Sequence, residues 1–89
     1  DSALFEYALK QLEIAPENAL AFGNQYCDAQ VASKAGIKAY HCLWGANDED
    51  RELMLADTGH QCLTSPLQII DILRSEHTSQ SQTTKNDKQ

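Results

Sequence analysis

The sequence predicts an α/β fold: a small layered structure with a short parallel sheet flanked by helices. Helix-like and strand-like segments alternate over residues 1–75. That order predicts parallel strands joined by right-handed crossovers. Ala19–Phe22 is an unbroken apolar run, typical of a parallel strand covered on both faces. Gly23 follows and permits a sharp turn, and small residues in the next helix, Ala29, Ala32 and Ala35, would allow close packing on the sheet.

The first helix is predicted to run to about Leu12, with Asp1 or Ser2 as its N-cap. Pro16 then breaks the helical pattern before the first strand. Gly36 ends the second helix, because glycine readily takes the left-handed conformation of a helix cap. The apolar residues expected on the inner face of the first helix are Leu4, Phe5, Ala8 and Leu12.

The second half of the chain repeats the alternation. A strand is predicted over 38–43, and Asn47 caps a third helix whose first turn is acidic. A weaker strand follows over 60–63. Ser65 and Gln68 then form a capping box that opens a last helix. The residues expected to face the core are Leu53, Met54 and Ala56 in the third helix and Leu67, Ile70 and Leu73 in the last.

Composition limits the classes of function. The formal net charge is −6 and no basic stripe is present, which argues against nucleic acid and anionic membranes as partners. No apolar run approaches the roughly 20 residues that span a bilayer, so we expect a cytoplasmic protein. Residues 76–89 contain no apolar side chain and are predicted to be a flexible tail beyond a single domain over 1–75.

The three cysteines, Cys27, Cys42 and Cys62, are an odd number and are not spaced like a disulfide framework. We expect them to be reduced and mostly buried. A cysteine phosphatase would need an arginine six residues after Cys27, where this chain has Ser33.

Two histidines and two cysteines suggest a zinc site on adjacent strands: His41, Cys42, His60 and Cys62. Successive residues of a strand point to opposite faces of the sheet, so His41 and Cys42 cannot converge on one ion. We therefore expect no zinc site made of all four residues.

Residues 16–28, Pro-Glu-Asn-Ala-Leu-Ala-Phe-Gly-Asn-Gln-Tyr-Cys-Asp, precede Ala-Ser-Lys-Ala-Gly at 32–36. Together they resemble the C-terminal part of the haloacid dehalogenase superfamily, closest to its phosphoglycolate-phosphatase-like branch. The resemblance covers nearly all of the chain before the tail. It implies a Rossmann-like half-domain of the haloacid dehalogenase type and Mg²⁺-dependent phosphoryl transfer to an aspartate. In the family this nucleophile lies in an Asp-x-Asp motif after the first strand of the sheet, and that strand is missing here. Asp48-Glu49-Asp50 is no substitute, because it follows a loop and opens a helix.

The same resemblance marks two metal-ligand positions. Asp28 matches the family pattern, whereas Asn24 stands where the family has an aspartate. Mg²⁺ prefers several hard oxygen ligands, so one carboxylate should bind it feebly, and we expect no cofactor beyond a weak residual Mg²⁺. Asp28 has a second interpretation as an acid at a helix N-terminus. The loop of Gly23, Asn24 and Gln25 could hold a small anion on its N–H groups.

The missing nucleophile strand would pair with the first strand of this chain. Its absence leaves an apolar edge at Ala19, Leu20, Ala21 and Phe22, and bare edges tend to find partners. We therefore expect a homodimeric structural or binding module with no catalytic residues of its own. The alternatives are the C-terminal part of a Mg²⁺-dependent phosphatase that needs an N-terminal half, and a small-anion or nucleotide-binding module.

Overall fold

The structure is a computed structural model and describes residues 2–76. Its elements, in chain order, are α1 (Ala3–Leu12), a 3-10 turn (Pro16–Asn18), β1 (Leu20–Gly23), α2 (Tyr26–Lys34), β2 (Lys38–Cys42), α3 (Asp48–Ala56) and β3 (Gln61–Leu63). Residues 67–76 form a last helix, α4. Asp1 and residues 77–89 of the predicted tail lie outside the described residues. Glu76, predicted as the first residue of the tail, is helical and belongs to α4. Within 2–76, every helix is too short or too polar to cross a membrane.

The three strands form one parallel sheet in the order β1-β2-β3. The register places Phe22 beside Tyr40, and His41 beside Cys62. This arrangement confirms the predicted α/β, Rossmann-like fold. Within the described part of the chain, β1 pairs on one side only, so it is an edge strand. Its four residues are only half-buried.

The core lies where α2 packs on β1 and β2. Ala29 and Ala32 are almost completely buried against Ala39 of β2, because side chains this small let the helix approach the sheet closely. Phe5 and Leu9 of α1 pack against the same cluster.

The predicted helix ends are largely confirmed. Gly36 has a φ of 81°, and its N–H donates to the Ser33 carbonyl while the Ile37 N–H donates to the Ala32 carbonyl. This is the hydrogen-bond pattern of a left-handed helix cap. Asn47 Oδ1 accepts the Asp50 N–H at 2.7 Å, as expected for an N-cap.

The apolar faces of α1 and α4 differ from the prediction. Leu4 and Leu12 are 77% and 66% exposed. In α4, Leu67, Ile70 and Leu73 face solvent, whereas Ile69 and Ile72 are half-buried. Both helices carry two apolar stripes, and the periodicity alone does not decide which stripe faces the sheet. In α3, Met54 is fully buried as predicted, but Leu53 is 46% exposed.

Candidate functional site

The loop after β1 lies at the carboxyl edge of the sheet, where ligands bind in open α/β folds. Asp28 Oδ2 accepts the Gln25 N–H at 3.2 Å and completes the capping box of α2. Asp28 therefore makes a helix-capping contact, as expected from its second interpretation as an acid at a helix N-terminus. Asn24 and Gln25 are exposed at the surface of the loop.

Glycine is required at position 23 because there is no room for a Cβ atom. A Cβ at this position would lie 2.4 Å from the Asp28 Cβ and 2.6 Å from its Oδ2. Among the described glycines, the left-handed φ values belong to Gly36 and Gly45. The sharp turn expected at Gly23 is therefore better described as a close approach between the end of β1 and the first turn of α2.

A second carboxylate lies beside this loop. Asp50 of α3 accepts the Tyr26 N–H with its Oδ1 at 3.2 Å. Asp28 and Asp50 thus occupy N–H groups at the start of α2 that an anion would need, and an anion would have to displace them. The sequence marked Asp50 only as an acid that opens α3, since nothing in its spacing from Tyr26 indicates this contact.

A cavity of about 330 Å³ lies beside β1 and is lined by β1 together with Phe5, Asp28, Ala29 and two residues of β2, Ala39 and Tyr40. Phe22 stacks on Tyr40 with ring centroids 5.2 Å apart. A second groove between α1 and α2 includes Cys27, whose exposure contradicts the expectation that the cysteines are mostly buried. α2 packs on the sheet with its alanine face, and Cys27 in its first turn faces solvent.

A separate polar cluster joins β2, the end of α3 and the start of β3. His41 Nε2 and His60 Nδ1 each lie 2.8 Å from Asp57 Oδ2, and the Gly59 N–H donates to Asp57 Oδ1 at 2.8 Å. The hydrogen bond from His41, followed by those from His60 and Gly59, holds the pKa of Asp57 well below its usual range. An ionised carboxylate only accepts hydrogen bonds, so both imidazoles donate to it.

The cluster extends to α2 through Ser33. Its Oγ lies 2.6 Å from His60 Nε2, and the hydroxyl donates a hydrogen bond to this nitrogen when the imidazole is neutral. His41 is completely buried and stacks on Tyr26 with ring centroids 5.7 Å apart. Its Nδ1 is buried without a hydrogen-bond partner among the described residues.

Of the four residues considered for zinc, the structure brings together His41 and His60. Cys62 Sγ donates to the Met54 carbonyl at 3.3 Å, and its pKa is raised by burial and by the charge of Asp57. Cys42 pairs with Leu63 in the next strand and is buried, which also raises its pKa. The sequence missed Asp57, although an acid three residues before a histidine was a visible signal.

Ser33, His60 and Asp57 follow the order of nucleophile, base and orienting acid found in acyl-transfer enzymes. Such enzymes also need N–H donors aimed at the developing oxyanion. Ser33 lies in the last turn of α2, where a helix presents carbonyl groups and negative potential. This geometry does not favour acyl transfer, so the chemistry that the cluster offers is hydrogen bonding or metal coordination.

Comparisons of the chain with protein-family models, with curated proteins and with solved structures find no match. The resemblance to the haloacid dehalogenase superfamily therefore stays an expectation from the sequence pattern.

Proposed function

We propose that this chain is a haloacid dehalogenase-like structural or binding module that works as a homodimer through the free edge of β1. The supporting observation is that β1 has no partner on one side within residues 2–76. Natural edge strands are usually protected by lysine, proline or a bulge. Leu20–Gly23 has neither a charged residue nor a proline.

A two-fold axis between Ala21 and Phe22 would pair two β1 strands antiparallel and make one continuous sheet. Leu20 of one copy would then lie opposite Gly23 of the other. The two Asp28 carboxylates would lie at opposite ends of the paired strands and would not oppose each other.

The test is the mass in solution, measured by sedimentation equilibrium over the micromolar range, for the unmodified chain and for two charge variants. Leu20→Glu places a carboxylate on the proposed interface, opposite the Gly23 and Asp28 region of the partner. Leu55→Glu makes the same change at a side chain of α3 that is 61% exposed. We expect a dimer that Leu20→Glu weakens by at least about tenfold and Leu55→Glu leaves unchanged.

Hydrogen exchange gives an independent readout. In a dimer, the outward N–H groups of Leu20–Gly23 should exchange more slowly as the protein concentration rises. A chain that stays monomeric across the micromolar range, with β1 exchange independent of concentration, would contradict the proposal.

A second candidate is the C-terminal part of a Mg²⁺-dependent phosphatase. The observation that favours it is the pair of carboxylates, Asp28 and Asp50, beside the carboxyl end of β1. Hydrolysis of p-nitrophenyl phosphate with Mg²⁺ tests whether the chain needs a second part for catalysis. We expect no activity from the chain alone or from Asn24→Asp, because the strand that carries the attacking aspartate of the family is missing from this sequence. Activity from the unmixed chain would overturn the first proposal and would also contradict the need for an N-terminal half.

A further inference from the structure

We propose that His41, Asp57 and His60 form a binding site for a single divalent transition-metal ion of the zinc type. One ligand atom from each residue lies within 4.8 Å of the others. Imidazole nitrogen and carboxylate oxygen are ligands that Zn²⁺ accepts, and three protein ligands leave a fourth position for water. With only one oxygen ligand, the same set suits Mg²⁺ and Ca²⁺ poorly.

The two known nitrogen–oxygen distances are slightly shorter than a zinc site needs. Zinc–ligand distances of about 2.0–2.2 Å place the ligand atoms of a tetrahedral site roughly 3.3 Å apart. The two nitrogens are each 2.8 Å from Asp57 Oδ2, and all three ligand atoms lie within 4.8 Å of one another. An ion would therefore replace the two hydrogen bonds, with each nitrogen moving about half an ångström away from Oδ2. The side chains of Asp57 and His60 are 12% and 16% exposed, which leaves a path for the ion and its water.

Neighbouring groups contact two of the three ligands on the side away from the proposed ion. The Gly59 N–H binds the second oxygen of Asp57, so Oδ2 is left to point at the site. As a neutral ligand through Nδ1, His60 would carry its proton on Nε2 and would donate a hydrogen bond to Ser33 Oγ, 2.6 Å away. Such outer partners orient ligands and raise metal affinity.

His41 lacks this support. As a ligand through Nε2 it would carry its proton on Nδ1, which is buried without a partner among the described residues. The missing outer partner should lower affinity by roughly 10–100-fold relative to a fully supported site. We therefore expect real but moderate affinity, with His41 held in place by its stacking on Tyr26.

This site is independent of the proposed dimer. All three ligands come from one copy, and none of them lines the cavity beside β1. Loss of metal binding and loss of dimerisation can therefore be observed separately.

The test is a calorimetric titration of the full chain with Zn²⁺, together with Co²⁺ absorption as a reporter of tetrahedral geometry. We expect one ion per chain, with His60→Ala and Asp57→Asn each weakening binding by about tenfold or more. The control is His77→Ala, which removes the third histidine of the chain and should leave the affinity unchanged. Circular dichroism establishes that each variant is folded.

Ser33→Ala provides a milder test that does not depend on changing a ligand. Ser33 is exposed, so the fold should persist while affinity falls by several-fold because His60 loses its outer partner. The proposal is overturned if Zn²⁺ does not bind at millimolar concentration. It is also overturned if binding survives His60→Ala and is lost in Cys27→Ser or Cys62→Ser, since the thiols would then be the ligands.

Discussion

Substitution of Gly23 by alanine should destabilise the fold through a steric conflict with α2. The added Cβ would lie 2.4 Å from the Asp28 Cβ and 2.8 Å from its Cγ, distances that real Cβ contacts do not reach. The first turn of α2 must therefore move away from β1. That movement would break the hydrogen bond from the Gln25 N–H to Asp28.

The magnitude combines two effects. Loss of a helix N-terminal capping interaction costs about 0.5–2 kcal/mol, and insertion of a methyl group into a packed contact costs about 1–3 kcal/mol. We expect Gly23→Ala to lower the free energy of unfolding by about 2–5 kcal/mol. A chain of 89 residues has a total of roughly 4–13 kcal/mol, so the loss would be a large fraction of it.

A double-mutant cycle separates this conflict from any conformational need for glycine. Asp28→Gly removes the atoms that meet the new Cβ and should itself cost about 2–3 kcal/mol, through the lost cap and a glycine in a helix. In the double variant Gly23→Ala/Asp28→Gly the conflict is absent, so its stability should be close to that of Asp28→Gly alone.

Urea unfolding at one fixed protein concentration measures the four proteins, with Trp44 fluorescence and circular dichroism as probes. Fixed concentration matters because dimerisation would itself shift the midpoint. If the two substitutions simply add, Gly23 is needed for its backbone conformation and the packing argument fails.

Three further outcomes are expected. Leu63→Ala, at a fully buried side chain, should lower the free energy of unfolding by about 3–5 kcal/mol in urea titrations, while Leu55→Ala, 61% exposed, should change it by less than about 0.5 kcal/mol. The folded-state pKa of Asp57 is depressed, so in metal-free buffer its contribution to stability is complete above its ordinary pKa of about 4 and is lost as pH falls through the lower folded value. Acid titration should therefore show a weaker pH dependence below about pH 4 for Asp57→Asn. With a net charge of −6 per copy, raising NaCl from about 0.05 M to about 0.5 M should strengthen the dimer in sedimentation equilibrium, and the opposite trend would indicate an interface made by charges.

The sequence predicts the order of helices and strands well because local signals mark most boundaries. Gly36 needs a left-handed φ, and Asn47 caps α3 through a contact three residues away. Such signals involve residues that are close in sequence, so they can be identified without knowledge of the tertiary structure. The apolar stripes of α4 show the limit of this approach: Leu67, Ile70 and Leu73 fit a helix face, but packing selects Ile69 and Ile72 instead.

The candidate sites were harder to predict because their contacts join distant positions. Asp50 reaches Tyr26 across 24 residues, and Ser33 reaches His60 across 27. The strand-alternation argument correctly separated His41 from Cys42, yet it considered only residues on strands. Asp57 follows the end of α3, so the residue that joins the two histidines lay outside that argument.

The helix α2 connects the two candidate sites through different residues. Its first turn, at Tyr26, binds Asp50 through the backbone and stacks on His41 through the ring. Its last turn, at Ser33, contacts His60. Tyr26 and Ser33 are two helical turns apart and therefore lie on one side of α2, while Ala29 and Ala32 pack on the sheet. A metal ion bound by the two histidines would thus stabilise the side of α2 that faces α3. The β1 edge would remain free for a partner. Metal binding and dimerisation would then occur independently, so each proposal can fail without the other.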